Sequence, residues 1–306
     1  MTKLLVGLDY DTIEIIDLES AATTCKNLTN FPLALEGSFG GLGFQDKPII
    51  CGTVDGYLNH SKKCFSLEGD EWIYLPGMNT TRAWTADSPS LYQSLSQAFF
   101  SGRGKERSVV DLNTTEDLTA QRWEEYLPQS IPFKFNAYCS VLVNPTTVLV
   151  IGSEEPSQGS STTYYLNIEN EIWTPGPYLN NIRENTSCGK VRRSNNSQEF
   201  SIIVAGGWDV FQQSSVEILD QGAEEWRKGP ELPMKMYEAK MVEDQKGGVI
   251  LVGGYSNDIG PLETLLHLPH GGEDAQWTEM DQKLNVGRKV HAAFLVPDNA
   301  NAVDCY

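Results

Sequence analysis

The sequence predicts an all-β protein built from a repeat of about 50 residues. Five tryptophans recur 50 to 53 residues apart, namely Trp72, Trp123, Trp173, Trp226 and Trp277. Short apolar segments that end in glycine recur in step with them, at residues 4–7, 49–52, 98–102, 149–152, 202–207 and 249–254. After each glycine, and before the tryptophan in the five units that have one, lies a run of β-branched and aromatic residues, which is typical of a half-buried strand. Four short strands per repeat at this period indicate a β-propeller of four-stranded antiparallel blades.

Each part of the repeat has a physical role. The glycine at the end of the second strand permits a backbone turn that a side chain would obstruct. The tryptophan fills the space between neighbouring blades. Burial of about 150–250 Å² of its surface, at about 25 cal/mol per Å², contributes at most about 4–6 kcal/mol. A proline-rich stretch, such as residues 229–233, then leads into the first strand of the next blade.

The two ends of the chain complement each other. Residues 4–8 have the pattern of a second strand, whereas residues 288–296 have that of a first strand without a unit of its own. We expect the C-terminal strand to become the innermost strand of the N-terminal blade, because a propeller must otherwise leave open edges. The expected fold is a closed ring of six four-stranded blades, and residues 1–306 form a single domain.

This pattern resembles the kelch-repeat family over nearly the whole chain. Its most specific carriers are residues 205–207 with Trp226 and residues 252–254 with Trp277, where two glycines follow the strand. The other units depart from the family in having a single glycine. The resemblance implies a six-bladed kelch-like propeller, here without a BTB domain.

The charge of the chain limits its partners. The sequence has 23 Lys and Arg against 41 Asp and Glu, a net charge of −18. Such acidity argues against a nucleic-acid-binding protein, which needs a basic face, and against adhesion to anionic membranes. We expect neither a nucleic-acid partner nor insertion into a membrane, since no apolar run is long enough to span a bilayer as a helix.

Six cysteines predict three disulfide bonds. Cys51 and Cys64 flank a hairpin turn on adjacent antiparallel strands, within disulfide reach. The other expected pairs are Cys25 with Cys305, within the closing blade, and Cys139 with Cys188, at matching positions of adjacent inner strands. The alternative is six reduced thiols that pack as small hydrophobes.

Glycosylation sequons favour a secreted protein. They occur at loops or blade ends, at Asn27, Asn59, Asn79, Asn113, Asn185 and Asn195. With an even number of cysteines, they predict an extracellular glycoprotein. The sequence starts without a signal peptide, so we expect either that one was removed or, alternatively, that the protein is cytoplasmic.

The sequence predicts binding and no catalysis. It contains no GxSxG element, phosphate-binding loop or HExxH motif, and we expect neither a metal nor a cofactor. The loops and linkers on one side of the ring instead carry the aromatic and arginine residues that usually anchor protein interfaces. The expected binding residues are Tyr10, Tyr57, Trp208, Phe211, Tyr255, Arg82, Arg183 and Arg288.

The leading interpretation is therefore a non-enzymatic propeller that binds a protein or glycoprotein partner through this loop face. One alternative is a carbohydrate-active enzyme of the galactose-oxidase or sugar-isomerase kind. Another is an intracellular kelch adaptor.

Overall fold

The chain folds entirely as β-strands and loops in the part that the structure describes. This computed structural model describes residues 3–8, 11–19, 30–34, 39–42, 48–52, 61–77, 97–101, 107–111, 123–126, 139–152, 161–167, 169–170, 172–209, 211–287 and 289–296. These residues form 24 strands in antiparallel sheets, and no helix occurs among them. The prediction of an all-β fold is confirmed.

The first sheet joins the two ends of the chain. Sheet 1 has the order β2-β1-β24, with β1 at Lys3–Leu8, β2 at Ile13–Asp17 and β24 at Val290–Val296. Lys3 stands opposite Val296 and Gly7 opposite Ala292 in the antiparallel register. The predicted pairing of the C-terminal strand with the N-terminal sheet is therefore confirmed.

Sheets 2 and 3 follow along the chain. Sheet 2 contains β3 (Phe39–Leu42), β4 (Pro48–Cys51), β5 (Cys64–Glu68) and β6 (Glu71–Leu75) in that order. Sheet 3 contains β7 (Gln97–Ser101), β8 (Arg107–Asp111) and β9 (Trp123–Tyr126).

Three four-stranded sheets complete the order. Sheet 4 contains β10 (Cys139–Asn144), β11 (Thr147–Ile151), β12 (Thr163–Asn167) and β13 (Ile172–Pro175). Sheet 5 contains β14 (Ser187–Arg192), β15 (Phe200–Ala205), β16 (Val216–Leu219) and β17 (Arg227–Lys228). Sheet 6 contains β18 (Lys240–Glu243), β19 (Val249–Val252), β22 (Thr264–Leu268) and β23 (Thr278–Lys283). A small ribbon of β20 (Tyr255–Ser256) and β21 (Gly260–Pro261) lies in the loop between β19 and β22.

The sheets are arranged as in a β-propeller. The first strands of five sheets contact one another in the series β10, β14, β18, β24 and β3, which places them around a common axis. The prediction of six complete four-stranded blades is corrected in part: this series has five members, and sheets 1 and 3 have three strands each among the described residues. The segments predicted to supply their remaining strands lie outside the described residues.

Two of the periodic tryptophans, Trp226 and Trp277, fill spaces between sheets. Trp226 and Trp277 are buried, and each indole N–H donates to the carbonyl of a proline in the preceding repeat: Trp226 to Pro177 at 3.0 Å and Trp277 to Pro230 at 2.9 Å. The indole thus combines apolar burial with a satisfied polar group. This contact explains why the tryptophan and the proline-rich stretch recur together.

The turn glycines follow one rule, with one exception. After the second strand, Gly52, Gly152, Gly206 and Gly253 each donate their amide to a carbonyl at or one residue before the start of the third strand, and they have φ between 55° and 86°. Only glycine adopts this conformation readily. In sheet 1 the equivalent amide belongs to Leu8, which donates to the Thr12 carbonyl at 2.9 Å. The predicted strand end at Leu8 is confirmed, but the expectation that Gly7 occupies the turn position is wrong by one residue, because Leu8 makes the turn contact.

Two predicted disulfides are present. Cys51 and Cys64 join the adjacent strands β4 and β5, and Cys139 and Cys188 join the first strands of sheets 4 and 5. Cys25 and Cys305 lie outside the described residues. The second bond ties neighbouring sheets together at the inner end of their shared core.

Candidate binding surface

The loops after β15 and β19 are held against the linkers that precede their own sheets. Trp208 and Glu184 exchange two backbone hydrogen bonds of 2.7 Å, and Tyr255 and Tyr237 exchange two of 2.8 and 3.0 Å. Such a close approach requires glycine, because a Cβ on Gly254 would lie 2.8 Å from the Tyr237 carbonyl oxygen. The double glycines of sheets 5 and 6 therefore set the position of both loops.

These contacts bring three aromatic rings into one row. The Trp208 and Tyr237 ring centroids are 5.3 Å apart, and those of Tyr237 and Tyr255 are 5.6 Å apart, in edge and tilted geometries that aromatic pairs favour. All three residues are half-buried. Burial, with a smaller contribution from Glu238, raises the pKa of Tyr237, so its phenol is protonated at neutral pH and can donate a hydrogen bond.

Exposed apolar side chains flank the row. Phe211 is 74% exposed, Ile259 64%, Val286 44% and Ile182 37%. Second-to-third-strand loops and inter-sheet linkers emerge at the same edge of the sheets, so these residues share a side of the molecule with the rings. We define the loop surface as Ile182, Trp208, Phe211, Tyr237, Tyr255, Ile259 and Val286.

Hydrogen bonds between loops hold this surface in place. Gln212, itself buried, accepts the Asn257 amide at 2.7 Å and donates to Asp258 at 3.1 Å. Gln213 donates to the Ile182 carbonyl at 2.7 Å. The loops of sheets 5 and 6 and the linker before sheet 5 are therefore fixed relative to one another, which lowers the entropic cost of binding.

The surroundings of the loop surface are acidic. Glu184, Asp209 and Asp258 are exposed there. Glu238 forms an ion pair of 2.7 Å with Lys289. The local charge thus has the same sign as the net charge of the chain.

The structure corrects the prediction that Arg183 is an exposed binding residue. Its side chain is completely buried and forms an ion pair of 3.0 Å with Glu217, which is 2% exposed. All five guanidinium donors are used, on Glu217 and on Gly206 and Ser215. Burial lowers the pKa of Arg183, and the Glu217 carboxylate opposes that shift. Arg183 fixes the linker and offers no surface to a partner.

Two residues at matching positions of successive linkers adopt left-handed backbone conformations. Asn185 has a φ of 50° and Glu238 a φ of 54°. The Glu238 amide donates to the Asn185 carbonyl at 3.0 Å, and the Val290 amide donates to the Glu238 carbonyl at 3.3 Å. This chain of hydrogen bonds joins three successive first strands near the axis, and the tertiary contacts stabilise the unfavourable φ values.

The remaining predicted residues fall into three groups. Phe211 is exposed and Trp208 and Tyr255 are half-buried, all three in the loop surface. Of the sequon asparagines, Asn195 is exposed and Asn185 is half-buried. Several lie outside the described residues, namely Tyr10, Tyr57, Arg82, Arg288, Asn27, Asn59, Asn79 and Asn113.

Sequence reasoning did not single out Ile182, Ile259 and Val286. Each is an apolar residue in a predicted loop or linker, which is a usable signal, although many such residues fold under their own loops. Within the described ranges no cluster of three His, Cys, Asp or Glu side chains could hold a metal ion. In that same part of the chain, no helix has the length and apolarity needed to cross a membrane.

Comparison with solved structures identifies the fold. The chain is similar in fold to YjhT. The protein titled "Structure of YjhT" superposes with a TM-score of 0.69, covering 90% of this chain and 94% of that chain at 11% identity. No protein-family model and no curated protein matches the sequence. At 11% identity the likeness shows the fold alone, and 260 chains of solved structures match, so function must be argued from the surface itself.

Proposed function

We propose that this chain is a non-enzymatic interaction propeller that binds a protein or glycoprotein partner through the loop surface. One observation carries the proposal: exposed apolar side chains flank a row of packed aromatic rings on loops that are already fixed by hydrogen bonds. Aromatic anchors surrounded by apolar contacts are typical of the centre of protein interfaces. Phe211, the most exposed of these side chains, is the expected anchor.

The charges around the loop surface favour a partner with a basic rim. Glu184, Asp209 and Asp258 surround the apolar residues, and opposite charges at the rim of an interface increase the rate of association. A partner segment with an apolar anchor flanked by Lys or Arg would complement both features. Binding of such a segment should weaken as the salt concentration rises.

We further propose that sheet 3 belongs to a kelch-like ring of six blades formed by residues 1–306, and that the protein is secreted and glycosylated. The recurring strands support the first part. The bonds Cys51–Cys64 and Cys139–Cys188 are consistent with an oxidising compartment. Exposure of Asn195 fits an occupied sequon. A third bond, between Cys25 and Cys305, would complete the pairing.

A displayed random-peptide library tests the binding function. Peptides selected on the wild-type protein should bind Phe211→Ala and Ile259→Ala at least 10-fold more weakly, because truncating an anchor typically costs about 2 kcal/mol or more. Ile172→Ala is the matched control, since Ile172 is 53% exposed on the outer strand β13. All three variants should keep the wild-type melting temperature.

Two outcomes would contradict the proposal. Selected peptides that bind Phe211→Ala and Ile259→Ala as tightly as the wild type would place the site elsewhere. Turnover in a screen of carbohydrate oxidation and isomerisation would instead support the enzyme alternative.

A further inference from the structure

A cavity lies between sheets 4 and 5, at the edge opposite the loop surface. Its rim includes Asn144 at the end of β10, Gln198 from the β14–β15 loop and Gln221 from the β16–β17 turn. These turns join first to second strands and third to fourth strands, which emerge at the other edge from the loop surface. The cavity has a volume of about 200 Å³, which is enough for a small organic molecule.

The part of the cavity that adjoins the core is apolar. Val143 and Tyr165 from sheet 4 face Phe200, Ile202 and Leu219 from sheet 5. Ile202 and Leu219 belong to the core between the two sheets, with Val143 and Tyr165 packed against it. The cavity is therefore the open end of that core, and the Cys139–Cys188 bond ties the same two sheets together further inside.

One basic side chain lines this apolar space. Lys190 stands two residues after Cys188 on β14, hence on the same face of the strand. Its ammonium nitrogen lies 5.5 Å from the centroid of the Phe200 ring. In the described part of the chain the Lys190 ammonium group forms no ion pair with a carboxylate, and its backbone amide donates to the Glu243 carboxylate at 2.9 Å. The ammonium group thus remains able to bind an anion.

The carboxylate in the wall is already neutralised. Asp220 accepts hydrogen bonds from Arg227 at 2.9 and 3.1 Å and from Ser201 at 2.6 Å. These bonds, the one from Arg227 above all, lower the pKa of Asp220. The nearby Arg193, in the loop between β14 and β15, forms an ion pair of 2.8 Å with Glu199. The cavity therefore combines an apolar inner wall and a polar rim with one positive charge that no described carboxylate pairs with.

We propose that this cavity is a binding site for small carboxylic acids with an apolar body, of the size of phenylacetate or hexanoate. The apolar body packs between Tyr165, Phe200 and Leu219, and the carboxylate pairs with Lys190. A Lys–carboxylate pair at a partly buried site gains from charge-assisted hydrogen bonding. The site is separate from the loop surface and does not depend on the proposed protein partner.

Titration with phenylacetate, followed by calorimetry or by NMR of the protein, tests the site. The wild-type protein should bind phenylacetate saturably and should bind the neutral phenylacetamide at least 10-fold more weakly. Lys190→Met keeps an apolar side chain of similar length but removes the charge, and it should weaken phenylacetate binding at least 10-fold. Lys246→Met removes an exposed lysine from the β18–β19 turn and should leave binding unchanged.

Two outcomes of this titration would contradict the proposed site. Absence of saturable phenylacetate binding to the wild-type protein would overturn the proposal. Equal affinity of Lys190→Met and the wild type, or of the acid and the amide, would also overturn it, because the site would then not recognise the carboxylate. The melting temperature of Lys190→Met in the absence of ligand shows whether that variant folds normally. If Lys190→Met does not fold normally, Lys190→Arg replaces it in the test, and this variant should retain binding because it keeps the positive charge.

Discussion

In sheets 5 and 1, a buried glutamate on the third strand binds the linker that leads into the sheet. The two sheets nevertheless differ in which parts of the chain form them. In sheet 5, the buried Glu217 accepts the Asn180 amide at 2.6 Å and pairs with Arg183. In sheet 1, Glu14 occupies the same place in the third strand and accepts the Asn285 amide at 2.8 Å. Sheet 5 is built from one stretch of chain, whereas Glu14 and Asn285 are 271 residues apart.

The comparison shows that sheet 1 is built from the same parts as sheet 5. Leu179-Asn180 and Leu284-Asn285 begin the two linkers, and both leucines are buried. In sequence, Arg288 stands three residues after Asn285, as Arg183 stands three residues after Asn180. Sheet 1 is therefore formed by a repeat whose two halves lie at opposite ends of the chain.

Removal of the closing strand should have the largest effect on stability. A chain that ends at Gly287 lacks β24, whose Ala292, Ala293 and Phe294 are buried, and it leaves β1 with an open edge. We expect loss of cooperative thermal unfolding, or a melting temperature lower by more than 10 °C, measured by circular dichroism or calorimetry. A truncated protein as stable as the full chain would disprove closure.

Replacement of Arg183 by Met should have the next largest effect. The substitution leaves the buried Glu217 carboxylate without its ionic partner, which typically costs about 3–5 kcal/mol in the free energy of unfolding. Arg193→Met is the matched control, because Arg193 is 53% exposed in its pair with Glu199, and it should leave the denaturation midpoint close to that of the wild type. Urea denaturation measures both.

The same logic extends to sheet 1 with a smaller effect. Glu14→Ala removes the acceptor of the Asn285 amide, and hydrogen bonds to charged groups contribute about 1.5–3 kcal/mol. A loss of that size would confirm that both sheets use the glutamate in the same way. An unchanged denaturation midpoint would show that, of these two sheets, the contact between the glutamate and the linker stabilises sheet 5 alone.

Much of the fold could be predicted because its determinants are local and periodic. The tryptophan spacing predicts a repeat of about 50 residues. The unmatched strand at residues 288–296 predicts that the C-terminal strand pairs with the N-terminal sheet. The Cys51–Cys64 bond was predictable because one hairpin places both residues on paired strands. The one-residue difference at Leu8 was not, because the backbone there makes the turn contact without glycine.

The surface was harder to predict because exposure depends on distant partners. The burial of Arg183 follows from Glu217, 34 residues later, and a lone linker arginine gives no sign of that pairing. Likewise, Trp208 is partly covered by Tyr237 from the next linker, whereas Phe211 in the same loop stays exposed. Composition places aromatic residues in a loop, but only the packed loops decide which of them a partner can reach.

Hydrogen–deuterium exchange of the complex with a selected peptide tests the central claim most directly. The wild-type protein should gain protection on binding in residues 208–212 and 255–259, the two loops that carry Trp208, Phe211, Tyr255 and Ile259. Protection of these loops in the wild type, and its loss in Phe211→Ala at equal peptide concentration, is the predicted result. Protection confined to the opposite edge, around residues 143–144 and 198–200, or to the outer strands β6 and β13, would contradict the account.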